Sequence, residues 1–301
     1  LADSRQKTLV VHGNCQAENI YEVLRHDPTI PTAYRVLYQA AMKGHPRTLS
    51  VEDLSSCDIL IDMVMMSGDT LDYTLLSSGC RIVRLNSVFI NALYPFFSPV
   101  NPYNVPRPPV APWGPFPYGD TAILGMIEAG MAAADICAAY FDDWPRYAPD
   151  LDRLYRSDCA RLSHIDRGSD VPIGDFLLET FRTRRLFYTP RHPTPTLFRE
   201  LLARISIACA SFEPLFARAR LTTTLDMLLQ TRPRGPLFSQ LVPVHPRVAA
   251  HFSLGWYDPQ DRFELPGRST VSYRHFITAM IAEFIAVKTA REAEAERAPA
   301  C

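Results

Sequence analysis

Apolar and polar positions follow two alternating periods along the first ninety residues. Lys7 to His12 is a short β-branched apolar run and predicts a buried strand. From Ala17 to His26 the apolar residues Ile20, Val23 and Leu24 recur at helical spacing. Val36-Leu37-Tyr38 predicts a second strand, Val51–Ser55 a helical turn, and Asp58–Met66 a third strand. Gly68-Asp69-Thr70 opens a short helix through Leu76, and Arg81–Leu85 reads as a fourth strand. Strand–helix alternation of this kind gives an α/β fold, with a small parallel sheet near the N-terminus and helices on its faces.

The pattern changes at Pro95. Nine prolines between Pro95 and Pro117 exclude regular structure. A loop of this length within a compact fold is often functional, and it is the candidate to cover a site. Beyond it the pattern is mostly helical. Asp120 or Thr121 caps a helix to about Tyr140, Ile173–Arg184 is another, and Leu186-Phe187-Tyr188 reads as a late strand. Thr194 caps a helix that has Pro195 at its first position and runs to Cys209. Leu221–Thr231, His245–Phe252 and a long C-terminal stretch from about Val271 complete the set, with a charged tail at Arg291–Arg297 that is expected to fray. The expected division is an α/β region over 1–94, a Pro-rich loop over 95–119 and a helix-rich region over 120–301, continuous with the first as one fold.

Composition narrows the function classes. A net charge of −1 offers no global attraction for nucleic acid or an anionic membrane, so a charged ligand must meet a local cluster. The seven cysteines are irregularly spaced, and the absence of any CxxC pair argues against a zinc ribbon or a thioredoxin-type site. No metal is expected. Most of the cysteines sit in apolar runs, as small buried residues of a reducing compartment do. The uncharged run from Leu85 to Pro106 contains four prolines, which rule it out as a membrane helix. With no apolar signal core at Leu1-Ala2-Asp3-Ser4-Arg5, the expected location is cytoplasmic and no transmembrane segment is expected.

One turn carries candidate chemistry. The first strand ends in Gly13-Asn14-Cys15-Gln16 and leads straight into a helix. Ligands of a parallel sheet bind beyond the carboxyl ends of its strands, where Cys15 falls. A helix start leaves free N–H groups and a partial positive charge, which stabilise a thiolate and favour a nucleophile. Gly13 permits the tight turn, and Asn14 and Gln16 offer side-chain N–H donors to a developing oxyanion. The plain alternative is a small buried cysteine at a strand end.

A nucleophile of this kind needs a base. His12 points to the opposite strand face from its neighbours. His26 and His45 look like surface residues, His164 sits in a charged loop, and His245 and His275 are weakly placed. His192 stands between two prolines in Tyr188-Thr189-Pro190-Arg191-His192-Pro193-Thr194, a loop held in one shape. It is the candidate base, with a structural turn histidine as the alternative. Arg182, Arg184, Arg185 and Arg191 cluster in the same region. Their guanidinium forks suit phosphate oxygens, although a solvated helix end would look the same.

The Gly13-Asn14-Cys15-Gln16 turn after a first strand, the Phe116-Pro117-Tyr118-Gly119-Asp120 segment and the later His192-Pro193 pair before a helix together resemble the WcbI-type polysaccharide biosynthesis proteins. The resemblance implies coenzyme A binding, with acetyl-CoA as donor and a hydroxyl of a capsular polysaccharide sugar, a heptose, as acceptor. It also implies association with membrane-bound capsule machinery and a distant likeness to SGNH hydrolases. By that likeness Gly68 and Asn86 would face Cys15. The chain departs from the SGNH pattern in having Cys15 in place of serine and Thr189 where an Asp-x-x-His block would have its aspartate. Two rival functions remain open at this point: a thiol esterase or deacetylase, and a non-enzymatic sugar- or nucleotide-binding component of a polysaccharide assembly complex.

Overall fold

The computed structural model describes residues 6–41, 48–64, 71–111, 113–231, 241–265 and 270–297. In chain order the α/β part contains β1 (Lys7–Gly13), α1 (Cys15–His26), β2 (Tyr34–Ala40), α2 (Val51–Ser55), β3 (Cys57–Val64) and β4 (Arg81–Asn86). Two short strands, β5 (Phe97–Ser98) and β6 (Gly119–Asp120), bracket the proline-rich stretch. The helices α3 (Thr121–Glu128), α4 (Ala133–Asp142), α5 (Trp144–Tyr147), α6 (Leu151–Asp166) and α7 (Gly174–Thr180) follow. The chain ends with β7 (Phe187–Thr189), β8 (His192–Pro193), α8 (Pro195–Ala210), α9 (Leu221–Thr231), α10 (Pro246–His251) and α11 (Tyr273–Arg297). These elements form two compact units, each drawn from two stretches of chain: 1–89 with 159–239, and 90–158 with 240–301.

The first unit is built on a parallel four-stranded sheet in the order β2-β1-β3-β4. Successive side chains on a strand face opposite ways, so β1 serves both faces. Leu9 and Val11 join Ile59, Ile61, Val83 and Leu85 in the main core, packed with Ile20, Val23 and Leu24 of α1 and with apolar residues of α8 and α9. Val10 and Leu60 form a smaller core on the other face with Leu37, Leu71, Leu76 and Ile82. Toward the carboxyl end this second face turns polar. His12, Gln39, Asp62 and Arg84 lie in register across the four strands, and His12 Nδ1 meets Asp62 Oδ1 at 2.7 Å. The Tyr73 hydroxyl donates to the other oxygen of Asp62. Strand order reverses direction at β1, and crevices at such switch points take ligands.

In the second unit β5 pairs antiparallel with β6 and draws together the two ends of the proline-rich stretch. Asn101 Nδ2 donates to the Phe116 carbonyl at 2.6 Å, and Asn104 Nδ2 to that of Trp113 at 2.6 Å, so the stretch folds on itself. Phe116 packs edge-on against Phe276 and Phe284 of α11. Asp120 accepts from the Ala122 and Ile123 N–H groups at the start of α3 and from the Tyr140 hydroxyl. Burial pushes this carboxyl up to about 6.

Several elements differ from the pattern-based reading. The single helix expected from Thr121 to Tyr140 is two, because Gly130 adopts φ +76°. Its N–H donates to Ile127 O and that of Met131 to Met126 O, the paired bonds of a left-handed helix stop. Helix α6 has no strong apolar signal, since only Leu151, Asp158 and Leu162 are buried at helical spacing in a charged run. His164, expected in a loop, lies on this helix. α7 ends at Thr180, short of Arg184. α11 continues through the tail expected to fray; Lys288 pairs with Glu292 one turn on, and Arg291 donates to the Pro102 carbonyl. The helix expected from Gly68 to Leu76 is, among the described residues, a short 3-10 turn at Tyr73–Leu75. Gly68, His45, Met65 and Met66 lie outside the described residues. No helix among the described residues is long and apolar enough to cross a membrane.

The strand-to-helix turn has a strict local requirement. Gly13 has φ +149°, and a Cβ there would lie 2.6 Å from Met63 Cβ and 2.7 Å from Ala17 Cβ. Gly13→Ala is expected to lower stability by about 2–4 kcal/mol through strain and overpacking, read as a fall in the denaturation midpoint. An unchanged midpoint would show that the turn relaxes freely.

Candidate active site

Cys15 begins α1 at the carboxyl end of β1, and the turn before it is fastened on several sides. Gly13 O accepts from Ala41 N–H at 2.8 Å, and the Tyr38 hydroxyl donates to the same carbonyl at 3.1 Å. Asn14 is the N-cap residue. Its Oδ1 accepts from Gln16 N–H at 2.9 Å, and its Nδ2 donates to Ser87 Oγ just past β4 at 3.0 Å. Gln16 is fully buried. Its Oε1 accepts from Val88 N–H at 3.0 Å, while its Nε2 donates to Val88 O at 3.0 Å and to Arg191 O at 2.8 Å. One amide therefore fastens the start of α1 to the segment after β4 and to the loop that carries His192.

That loop joins β7 to β8. Thr189 Oγ1 accepts the N–H groups of Arg191 and His192, each at 3.2 Å, and lies 2.8 Å from His192 Nδ1. With both lone pairs engaged, the Thr189 hydroxyl gives its own proton to Nδ1, and the ring's proton falls on Nε2. Thr189 is thus the side chain that orients His192. Next to it, the Arg191 guanidinium stacks 3.8 Å from the centre of the Phe89 ring. Arg161 stacks on the same ring at 3.8 Å and donates to the Phe89 carbonyl at 2.6 Å.

The electrostatics correct one expectation. The helix start does act on Cys15: the N–H groups of Gln16 and Cys15, with the Arg191 guanidinium, pull its pKa down. Burial, seconded by the Glu18 carboxylate, outweighs them and pushes the thiol up to about 11. Burial also takes His192 down to about 4. Neither effect favours charge, so the thiol and the imidazole are each neutral at rest.

The other site residues expected from sequence separate into groups. Gln16 spends both amide hydrogens on backbone carbonyls, so it positions the turn and has none left for an oxyanion. Asn14 gives one amide hydrogen to Ser87, and Asn86, the last residue of β4, gives one to the Ile165 carbonyl. Each retains a second hydrogen for another acceptor. Arg191 acts directly on Cys15. Arg182 and Arg184 are exposed beyond α7, and Arg185 is half-buried beside Tyr188. Thr194 stands at the N-cap of α8, but its hydroxyl donates to the Arg185 carbonyl and leaves the cap unmade. Thr189, Ser87, Phe89 and Arg161 were not anticipated. Only Thr189 carried a signal, standing three residues before His192.

A parallel sheet with a cysteine at its switch point, and a histidine-bearing loop fastened to the same helix through Gln16, defines an α/β protein with a candidate site at its strand ends. The sequence profile of the polysaccharide biosynthesis enzyme WcbI matches residues 8–211, more than half of the chain, and the chain belongs to that family. Its fold matches a solved structure of WcbI with a TM-score of 0.66 at 16% sequence identity, over 95% of this chain and 93% of that one. That structure is described as a novel polysaccharide biosynthesis enzyme, in a native form without a disulfide bond between coenzyme A and a cysteine. No curated protein sequence matches the chain.

Two measurements check the site. Only the thiolate reacts with iodoacetamide, so at pH 7 about one molecule in ten thousand is reactive at Cys15. Its alkylation, followed by peptide mapping, is expected to be slow at pH 7 and to rise about tenfold per pH step toward pH 11. Rapid labelling at neutral pH would contradict the dominance of burial. Gln16→Leu removes three hydrogen bonds, two of them from the buried N–H and carbonyl of Val88. A stability loss of about 2–4 kcal/mol in urea denaturation is expected.

Proposed function

We propose that the chain is an O-acetyltransferase that moves an acetyl group from acetyl-CoA to a hydroxyl of a capsular polysaccharide sugar, a heptose by the family resemblance. The observation that carries this reading is the Gln16 staple, which holds Cys15 and the His192 loop together at the sheet's switch point. The related WcbI structure is described by the absence of a disulfide bond between coenzyme A and a cysteine, and that mention of the two together supports reading Cys15 as the residue that meets the donor's thioester. The reaction is assigned to the cytoplasm, alongside membrane-bound capsule machinery.

The chemistry follows from the neutral pair. Cys15 attacks the thioester carbon as its proton leaves, the acyl–sulfur bond to coenzyme A breaks, and the departing coenzyme A sulfur takes up that proton. In the resting tautomer His192 donates from Nε2 to the thioester oxygen as negative charge develops. The remaining amide hydrogens of Asn14 and Asn86 serve the same oxygen, and Gly68, which lies outside the described residues, keeps the same assigned role. For the second step the ring takes its other tautomer, with Nδ1–H given to Thr189 Oγ1 in place of a backbone N–H; Nε2 accepts the proton of the sugar hydroxyl as that oxygen attacks the acyl-enzyme, the Cys15–acyl bond breaks, and the proton passes to the Cys15 sulfur. Thr189 carries no charge, so it orients the ring without stabilising an imidazolium, consistent with the low pKa of His192. Arg191, beside Cys15, and Arg182, Arg184 and Arg185, between α7 and β7, are assigned to the donor's phosphates.

Three outcomes test this reading. Cys15→Ala is expected to abolish acetyl transfer while retaining coenzyme A binding by calorimetry; full activity in Cys15→Ala and Cys15→Ser would end the covalent route. Absence of coenzyme A binding to the unaltered protein would favour the esterase reading. Thr189→Val, which keeps the shape and removes the hydroxyl, is expected to lower kcat about 10²-fold or more with little change in KM. Thr189→Asp, with a charge to stabilise the imidazolium, is expected to raise the His192 pKa. The acidic limb of the pH profile then moves to higher pH.

A further inference from the structure

Two cysteines play no part in the site. Cys57 opens β3, and Cys80 immediately precedes β4. These strands are parallel neighbours, with Ile59 paired to Arg81, so both thiols lie at the amino ends of the strands. Cys57 pairs beside Thr8, whereas Cys15 follows Gly13 at the opposite end of β1. The two sulfurs are 3.7 Å apart. Adjacent strands run about 4.8 Å apart, which is within the backbone separation a disulfide spans. Closing the sulfurs to about 2.05 Å needs only a small side-chain rotation.

The two thiols differ in a way that suits stepwise oxidation. Cys57 is buried against Val10 and Leu60, whereas Cys80 is half-exposed. Cys80 Sγ donates to Cys57 Sγ, and Cys57 Sγ donates in turn to the Ile59 carbonyl. Cys80 is the more accessible partner, and Cys57 waits behind it as the resolving thiol.

We propose that Cys57 and Cys80 are a modification site that forms a reversible disulfide with a small-molecule disulfide such as oxidised glutathione. The Cys80 thiolate attacks one glutathione sulfur, the glutathione S–S bond breaks, and one glutathione leaves and takes up a proton. Cys57 then loses its proton and attacks the Cys80 sulfur, expelling the second glutathione as a thiol. The protein gives up two electrons and two protons, and one oxidised glutathione becomes two reduced molecules. The bridge ties β3 to β4 at the end of the sheet away from Cys15. It is independent of the reaction proposed at Cys15.

The test uses the full chain in glutathione buffers of graded redox ratio, quenched with acid and mapped by mass spectrometry. The expected product is a 57–80 linked peptide lighter by two hydrogens than its reduced parts and restored by dithiothreitol. Thermal unfolding of the oxidised protein is expected to shift upward by several degrees, because the bridge restricts the unfolded chain. In Cys57→Ser the reaction is expected to stop with one glutathione on Cys80, and circular dichroism reports whether that variant is folded. The proposal is overturned if the unaltered protein, held to equilibrium in the most oxidising of these buffers, shows no 57–80 peptide. Separate glutathione adducts on both residues without a cross-link would overturn it equally.

Discussion

The primary amide of Gln16 is shared by three parts of the first unit. It begins α1, pairs with both backbone groups of Val88 after β4, and holds the carbonyl of Arg191 more than 170 residues later in the chain. Because the side chain has no exposure to water, these bonds have no solvent competitor, and losing one strands a buried partner. Asn14 repeats the device on a smaller scale, capping α1 with one amide atom and reaching Ser87 with the other. The placement of the site's thiol and imidazole depends on these two amides more than on the apolar core beneath them. The core fixes the sheet and helix, whereas the amides fix the loops.

Burial that secures this geometry also sets its electrostatics. A thiol at a helix start would ordinarily gain from the nearby N–H groups. Here the loops that fasten the turn also remove the water that would solvate a thiolate, and the loss of hydration wins. His192 responds to the same exclusion with the opposite shift. Thr189 is a matching partner, since an uncharged hydroxyl can orient a neutral ring without favouring its protonation. An aspartate in its place would work against the dry surroundings. The contrast with His12 is instructive. That imidazole has a carboxylate at hydrogen-bond distance, and the Tyr73 hydroxyl donates to the carboxylate's other oxygen. The charged partner lies on the opposite sheet face from α1, away from the proposed chemistry.

The hydrophobic pattern was sufficient for the four parallel strands, for α1 and for α9, because strands buried on both faces read as apolar runs and helices show one apolar stripe. It was insufficient where burial rests on few side chains. α6 holds its place with Leu151, Leu162 and the buried carboxylate of Asp158, which accepts from Asn91 and Ala92. Such a helix has no stripe to read. The turn at Gly13 and Cys15 was legible because a strand that turns into a helix within one residue needs a glycine. His192 was legible from its prolines. Thr189, Ser87, Phe89 and Arg161 were not, because each matters only through a partner distant in sequence or through a ring proton that spacing does not reveal.

The sequence by itself determined the α/β class, the position of Cys15 at a strand end and the family to which the chain belongs. These are properties of local periodicity and short motifs, and they survive without knowledge of what packs where. Tertiary structure alone decided which amides are spent, which arginine acts on the thiol and which way the two pKa values move. All three depend on water being displaced by residues far apart in the chain. Desolvation is a property of the assembled environment, and it reversed the sign that the helix start alone would have given Cys15.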